Sequence, residues 1–148
     1  MEKVTINTDG GSRGNPGIAG AGAVIADAQG NILKEVSLPL GVATNNDAEY
    51  RAVILGLESL KKLVGSERTR ELAVEIRLDS QLVANQLSGK YQIKEETLWP
   101  HFIKIWNLRV ADFPRLTFTY IPREENARAD ALANRAMDEA SSQQGKIF

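Results

Sequence analysis

Acidic side chains at four places carry the chemistry open to this sequence. Asp9 and Asp79 each close an alternating apolar run, and Glu49 and Asp130 each fall in the first turn of an expected helix. Four carboxylates brought together repel one another and raise each other's pKa unless cations neutralise them. The chain has no cysteine and a single histidine, so the donors are oxygens, which select hard divalent ions such as Mg2+ or Mn2+ over zinc. Two such ions about 4 Å apart suit in-line attack on a phosphodiester, one activating water and the other stabilising the departing oxygen.

The elements that must position these acids are legible from apolar spacing. Residues 4–9 alternate as a strand and lead into a glycine-rich turn, Gly10-Gly11-Ser12-Arg13-Gly14-Asn15-Pro16-Gly17. A second strand, Ala21 to Ala26, meets the turn at Asp27–Asn31, and a third runs from Ile32 to about Leu38. The loops are too short for crossovers, so these three form an antiparallel meander. Asn45-Asn46-Asp47 offers N-caps for a helix built on Val53, Ile54, Leu57, Leu60 and Val64. Leu72, Val74, Ile76 and Leu78 alternate as a fourth strand, and Ser80 to Leu87 reads as a short helix. Thr97 can cap a longer helix with Trp99, Phe102, Ile103, Trp106 and Val110 on its buried side. Leu116, Phe118 and Tyr120 mark a fifth strand. Pro122 to Asn126 is a loop, and Asn126 can cap a last helix on Ala129, Leu132, Ala133, Ala136 and Met137.

The order βββαβααβα implies an α/β fold, a mixed five-stranded sheet with helices on both faces. Strands 1 and 4 can lie parallel and adjacent because a helix crosses between them. Their C-terminal ends then bring Asp9 and Asp79 to the rim where such sheets place their sites, and two helix N-termini add Glu49 and Asp130. Residues 1–140 form one domain and residues 141–148 a frayed tail, whose Ile147 and Phe148 can dock.

Bulk composition narrows the class. A chain of 148 residues can bury roughly two thirds of its unfolded surface, enough for one core without staples. The absence of cysteine excludes disulfide scaffolds, zinc–thiolate sites and cysteine nucleophiles, and fits a reducing compartment. No signal peptide and no apolar run long enough to span a bilayer is visible, so the expectation is a cytoplasmic protein with no membrane attachment. A net charge of −1 means that any phosphate-binding surface is local.

Four motifs in order match a known pattern: Thr8-Asp9-Gly10-Gly11-Ser12 with Gly14-Asn15-Pro16-Gly17, Thr44-Asn45-Asn46-Asp47-Ala48-Glu49, Asp79-Ser80-Gln81, and Asn126-Ala127-Arg128-Ala129-Asp130-Ala131-Leu132-Ala133. Over about residues 3–140 the sequence resembles the type 1 ribonuclease H family, and looks closest to its archaeal-like subset. The resemblance implies a ribonuclease H-like fold and an endonuclease that cuts the RNA strand of RNA–DNA hybrids, leaving 5′-phosphate and 3′-hydroxyl ends. It implies two Mg2+ ions, with Mn2+ as a substitute. Asp9 would bridge both, Glu49 and Asp79 complete one site, and Asp130 complete the other, nearer the attacking water. It also implies that backbone groups of Gly10, Gly11, Ser12 and Arg13, with the side chains of Asn15, Asn45 and Gln81, read 2′-hydroxyls. An amide both donates and accepts, as a 2′-hydroxyl does. Thr44 and Asn45, beside Asn46 at a helix N-terminus, suit a phosphate of the DNA strand. The expected partner is the hybrid alone, bound by a monomer with no obligatory protein partner.

Two departures from the family follow. Many members carry a histidine in the loop before the last carboxylate, where this chain has Pro122-Arg123-Glu124-Glu125-Asn126. Arg123 takes that place. It keeps its charge and shuttles no proton, but it can hold a phosphate or assist product departure.

Blander assignments cover the remaining features. The glycine-rich turn is no P-loop, because no Lys-Ser or Lys-Thr pair follows it. His101, among Trp99, Phe102 and Trp106, is expected to be structural, and both tryptophans to be core. Glu124, Glu125, Lys61, Lys62, Arg68 and Arg70 read as solvated charge. The rival functions are a non-catalytic hybrid-binding module and another metal-dependent phosphatase or nuclease of the same superfamily. Four intact carboxylates argue against the first, and Asn15, Asn45 and Gln81 against the second. The second departure is that only Lys90, Tyr91 and Lys94 stand where some members insert a basic protrusion. Hybrid binding should therefore be weaker than in protrusion-bearing relatives, with a shallower fall of log affinity against log salt in a titration.

Overall fold

Apolar alternation builds the sheet around its first strand. The computed structural model describes the backbone of residues 2–147 and the side chains of residues 2–142. β1 (Lys3–Gly14), β2 (Gly17–Ala26) and β3 (Ile32–Ala43) form the antiparallel meander. β4 (Ala73–Leu78) and β5 (Leu116–Tyr120) continue in parallel beyond β1, giving the order β3-β2-β1-β4-β5. The glycine-rich segment expected as a turn is mostly strand. β1 and β2 stay paired out to Gly14 and Gly17, leaving Asn15 and Pro16 as the connection.

The two faces of β2 show how helices cover the sheet. Ala19, Ala21, Ala23 and Ile25 pack against α1 (Asn45–Val64). Gly20, Gly22 and Val24 face α5 (Ala127–Ile147) on the opposite side. The main core lies on the α1 face, where Ile6, Ile25, Leu57, Leu60, Ile76 and Leu78 are sealed from solvent. Thr44, one residue before the expected caps, closes the N-terminus of α1 by accepting from the Asp47 amide at 3.2 Å. α2 (Ser66–Glu71) is a short helix the apolar pattern did not announce, since only Thr69 in it is buried. α3 (Gln81–Leu87) is capped by Ser80, which accepts from the Val83 amide.

α4 (Trp99–Ala111) forms, but with a different face inward from the one expected. Leu98, Ile105 and Phe113 are buried, with Phe102 and Leu108 packed against them. Trp99, Ile103, Trp106 and Val110 are 46–64% exposed. This helix is apolar on most of its circumference, so its spacing supports two stripes about one residue apart, a rotation of about 100°. Trp99 nevertheless satisfies its indole N–H on the Ile93 carbonyl at 2.9 Å, and Trp106 stacks on Phe102. His101 is bonded through Nε2 to Asp47 at 2.7 Å, tying α4 to α1. Lys61, read as solvated, reaches the buried Asp112 at 3.0 Å. Beyond Ser141, where a frayed tail was expected, α5 runs on to Ile147; docking of Ile147 and Phe148 lies outside the described side chains. Among the described residues no helix is long and apolar enough to cross a membrane.

α5 sits directly on backbone. A Cβ built on Gly22 would meet the Ala129 carbonyl oxygen at 2.5 Å and the Ala133 nitrogen at 2.8 Å. Neither atom can move without displacing the helix. Gly22→Ala should therefore cost about 2 kcal/mol, in the range for overpacking. The melting temperature should fall by roughly 4–8 °C in a calorimetric scan.

Candidate active site

The site is made where one half of the sheet stops. The parallel ladder between β1 and β4 runs from Lys3 opposite Ala73 to Thr8 opposite Leu78 and ends there. Asp79 is the next residue of the leaving strand. Asp9 is the next residue of β1, but it does not close that strand, which goes on pairing with β2, Asp9 lying opposite Gly22. The departure of β4 thus opens the space beside Asp9. α1 enters over Gly10, where a Cβ would stand 2.1 Å from the Ala48 carbonyl oxygen. Only glycine permits that approach, and it brings Glu49 to the rim. Asp130 comes from the first turn of α5.

Carboxylate oxygens of Asp9, Glu49 and Asp79 lie within 4.8 Å of one another. Asp9 and Glu49 are only 7% and 8% exposed, so their charges are poorly hydrated as well as crowded. Burial, then the charge of Asp79 and the proximity of Asp130, push the Asp9 carboxyl up to about 8. Burial and then the charges of Asp9 and Asp79 push Glu49 well above the usual carboxylate range. Burial raises Asp79 too, against the opposing Asn126 hydrogen bond and Arg123 charge. Among the described residues Glu49 Oε2 is buried with no hydrogen-bond partner. An all-oxygen donor set carrying excess negative charge and an orphaned lone pair fits a hard divalent cation.

Asp130 stands just outside this trio, within side-chain hydrogen-bonding reach of Asp9. Together with Arg123, Asp9, Glu49 and Asn45 it lines a cavity of about 360 Å³. The Arg123 guanidinium, exposed on a 3₁₀ turn over Arg123–Glu125, lowers the pKa of both Asp9 and Asp79. It is the basic group whose charge acts on both aspartates, while Arg13 lines the same cavity.

The residues expected to touch substrate divide into two sets. Gly10, Gly11, Ser12, Arg13 and Asn45 share the cavity with the acids. Ser12 donates to Asn45 Oδ1 through its amide at 2.9 Å and its hydroxyl at 3.1 Å, and the Asn45 amide donates to Asn15 Oδ1 at 3.1 Å. Each asparagine thus spends its carbonyl oxygen internally. Among the described residues neither side-chain NH2 has a protein acceptor. Arg13 is held against α5 by Asp138 at 2.6 Å. Asn15, Thr44, Asn46 and Gln81 do not line the cavity, Asn15 reaching it only through Asn45. Thr44 caps α1, Asn46 donates to Glu95 at 2.9 Å, and Gln81 is exposed on α3. Lys90, Tyr91 and Lys94 line a separate cleft of about 500 Å³ beside α3, with Glu95 on its wall.

Asn134 and Met137, one and two turns beyond Asp130 on α5, also line the acid cavity; Asn134 was not singled out, and Met137 was read only as part of the helix's apolar spacing. Asn126 was read only as a cap. Its side chain is instead buried against β1 and Asp79. The spacing to Asp130 could have flagged it, but a capping and a bridging asparagine look alike in sequence.

The raised carboxylates set the sign of a stability effect. Folded Asp9 holds its proton up to about pH 8, whereas the unfolded chain releases it near 3.8. Between those values the native state binds more protons, so metal-free stability is fullest below the lower value and declines as pH rises towards the higher. In EDTA the melting temperature should fall from pH 5 to pH 8. Asp9→Asn should flatten that decline and melt roughly 4–8 °C above the parent at pH 8, for about 2 kcal/mol of relieved repulsion. Equal pH profiles for the two proteins would contradict the assignment.

Comparison with known proteins agrees with this geometry. A family model described as reverse transcriptase-like matches residues 7–136. A bifunctional protein of Mycobacterium tuberculosis is 42% identical over 140 residues, 94% of this chain and 36% of that protein. The chain thus spans about a third of that relative's length. A ribonuclease H of Hydrogenovibrio crunogenus is 33% identical, the match covering 94% of this chain and 98% of the enzyme. Among solved structures, a ribonuclease H1 from a compost metagenome, in complex with an RNA/DNA hybrid, is 47% identical with a TM-score of 0.88, covering 93% of this chain and 98% of that one. The chain belongs to the type 1 ribonuclease H family.

Proposed function

We propose that the chain is a divalent-metal-dependent endoribonuclease that hydrolyses the RNA strand of RNA–DNA hybrids to 5′-phosphate and 3′-hydroxyl ends. The observation that carries this reading is the trio of Asp9, Glu49 and Asp79, with a Glu49 oxygen that has no partner among the described residues, and the cavity that Asp9 and Glu49 share with Asp130 and Asn45. Binding of a hybrid by a relative at 47% identity supports the choice of substrate. Mg2+ is the expected ion and Mn2+ its substitute, since both take oxygen donors. Asp9 would serve two ions, with Glu49 and Asp79 completing one site and Asp130 the other. When bound, the ions supply a more acidic water and neutralise charge on the departing oxygen.

The chain's own groups do the rest. The amide NH2 groups of Asn15 and Asn45 are donors fixed by the Ser12–Asn45–Asn15 bonds, and suit the oxygen of a 2′-hydroxyl. Gly11, on the cavity wall, lets backbone reach the minor groove, whereas Gly10 gives up its Cβ to α1. Arg13, braced by Asp138, and Arg123 add positive charge on the cavity wall for phosphates of the cut strand. The cleft of Lys90, Tyr91 and Lys94 offers the DNA strand two ammonium groups and an exposed ring. We place the protein in the cytoplasm as a monomer that needs no partner other than its substrate.

The test is incubation with an end-labelled RNA–DNA hybrid and Mg2+ or Mn2+. The parent should cut the RNA strand alone, and Asp9→Asn and Asp79→Asn should lose at least about 10³-fold in kcat. Arg123→Ala should lose only about tenfold, since one exposed charge is worth about 1 kcal/mol. Uncut RNA would refute the enzyme, and equal losses from Arg123→Ala and Asp79→Asn would refute the division of roles.

A further inference from the structure

We propose that Asn126 is a positioning residue that builds the cation site by tying α5 to the sheet and holding the Asp79 carboxylate. The inference rests on the reading of the acids as a cation site and adds a residue to it. Its side chain is 1% exposed and reaches three groups. Nδ2 donates to the Thr8 carbonyl at 2.9 Å and to Asp79 Oδ2 at 3.4 Å, and Oδ1 accepts from Asn7 Nδ2 at 3.2 Å.

The Thr8 bond explains why an amide is needed. Thr8 is the last β1 residue paired with β4, and its carbonyl lies where the ladder has just run out. The amide supplies the missing donor, so a buried carbonyl is not left unpaired. The remaining donor on the same nitrogen turns to Asp79. The backbone carbonyl of Asn126 then accepts from the Asp130 amide at 3.0 Å, opening α5 with Asp130 in its first turn. One residue therefore fixes the strand end that bears Asp9, the carboxylate of Asp79 and the start of the helix that bears Asp130. A leucine of similar size would offer neither donor, and an aspartate would turn an oxygen towards both the Thr8 carbonyl and Asp79.

A purely structural asparagine would lower stability and leave metal affinity alone. A positioning asparagine should weaken metal binding by about 10-fold to 100-fold, the usual effect of removing a partner that orients a metal ligand. The experiment titrates Mn2+ into the full chain by calorimetry, with melting curves in EDTA and kinetics on a hybrid substrate. Asn126→Ala should raise the Mn2+ dissociation constant at least about tenfold and lower kcat, part of which returns at high Mn2+. KM for the hybrid should stay within about twofold, because Asn126 does not line the substrate cavity. Asn7→Ala, which removes only the Oδ1 partner, should weaken Mn2+ binding about threefold and serves if Asn126→Ala does not fold. Parental Mn2+ affinity in a folded Asn126→Ala, or in Asn7→Ala where the first variant does not fold, would overturn the proposal and leave the cation site standing. A parent that binds no Mn2+ would overturn the cation site, and the proposal with it.

Discussion

Three carboxylates held within 4.8 Å of one another, two of them nearly sealed from water, set the terms for the rest of the molecule. Left to themselves they would separate or take up protons, and burial together with their mutual charge raises Asp9 and Glu49 accordingly. The site exists because its bearers are fixed by packing elsewhere. Asp9 lies in the central strand, one residue past its ladder with β4 and still paired with Gly22 of β2. Glu49 stands in a helix whose Ala48, Ala52, Val53 and Leu57 are fully buried. The core energy of the α1 face is what the repulsion works against.

The mixed sheet supplies a place where such crowding is possible. β1 is antiparallel to β2 and parallel to β4, and only the second pairing stops at Thr8. The rim is therefore a step rather than a clean edge. Backbone continues on one side and a gap opens on the other, as expected where strand direction changes within a sheet. Small residues bring the helices close enough to reach it. Gly10 admits the first turn of α1, and Gly20 and Gly22 admit α5. Side chains as short as Asp130 and Glu49 can then act at a site that belongs to the strands.

The sequence carried the four acids and the three-layer architecture because both are written in period and spacing. Asp79 follows an alternating run, and Asp130 falls one turn into an alanine-rich helix. Three features were hidden, for different physical reasons. Glycine, asparagine and proline at 10–17 favour turns locally, but Gly10 answers the close approach of Ala48 in α1 and Gly17 that of Arg13 across the hairpin, contacts that only the fold creates. α4 could bury either of two stripes, and the choice was made by continuity from Leu98 through Ile105 to Phe113, a tertiary fact. Asn126 and the Asn15–Asn45 pair depend on partners 30 to 119 residues away, which no local pattern encodes.

The loop before α5 shows how the chain manages without an imidazole. Arg123 is the basic group beside the acids, and its charge opposes the rise in both Asp9 and Asp79. A histidine there would lose that charge as pH rises through its ordinary range, whereas arginine keeps it. In the proposed reaction a fixed cation cannot move a proton, so proton transfer falls to water, the substrate phosphates and the carboxylates. In that proposed reaction the same permanence would let Arg123 draw phosphate in and offset the negative charge that remains when the strand is cut. Asn126, three residues later, is neutral at every pH and holds Asp79 from the other direction. The loop thus combines a charge that does not titrate with an amide that does not titrate. The carboxylates are left as the groups of the site whose protonation responds to pH.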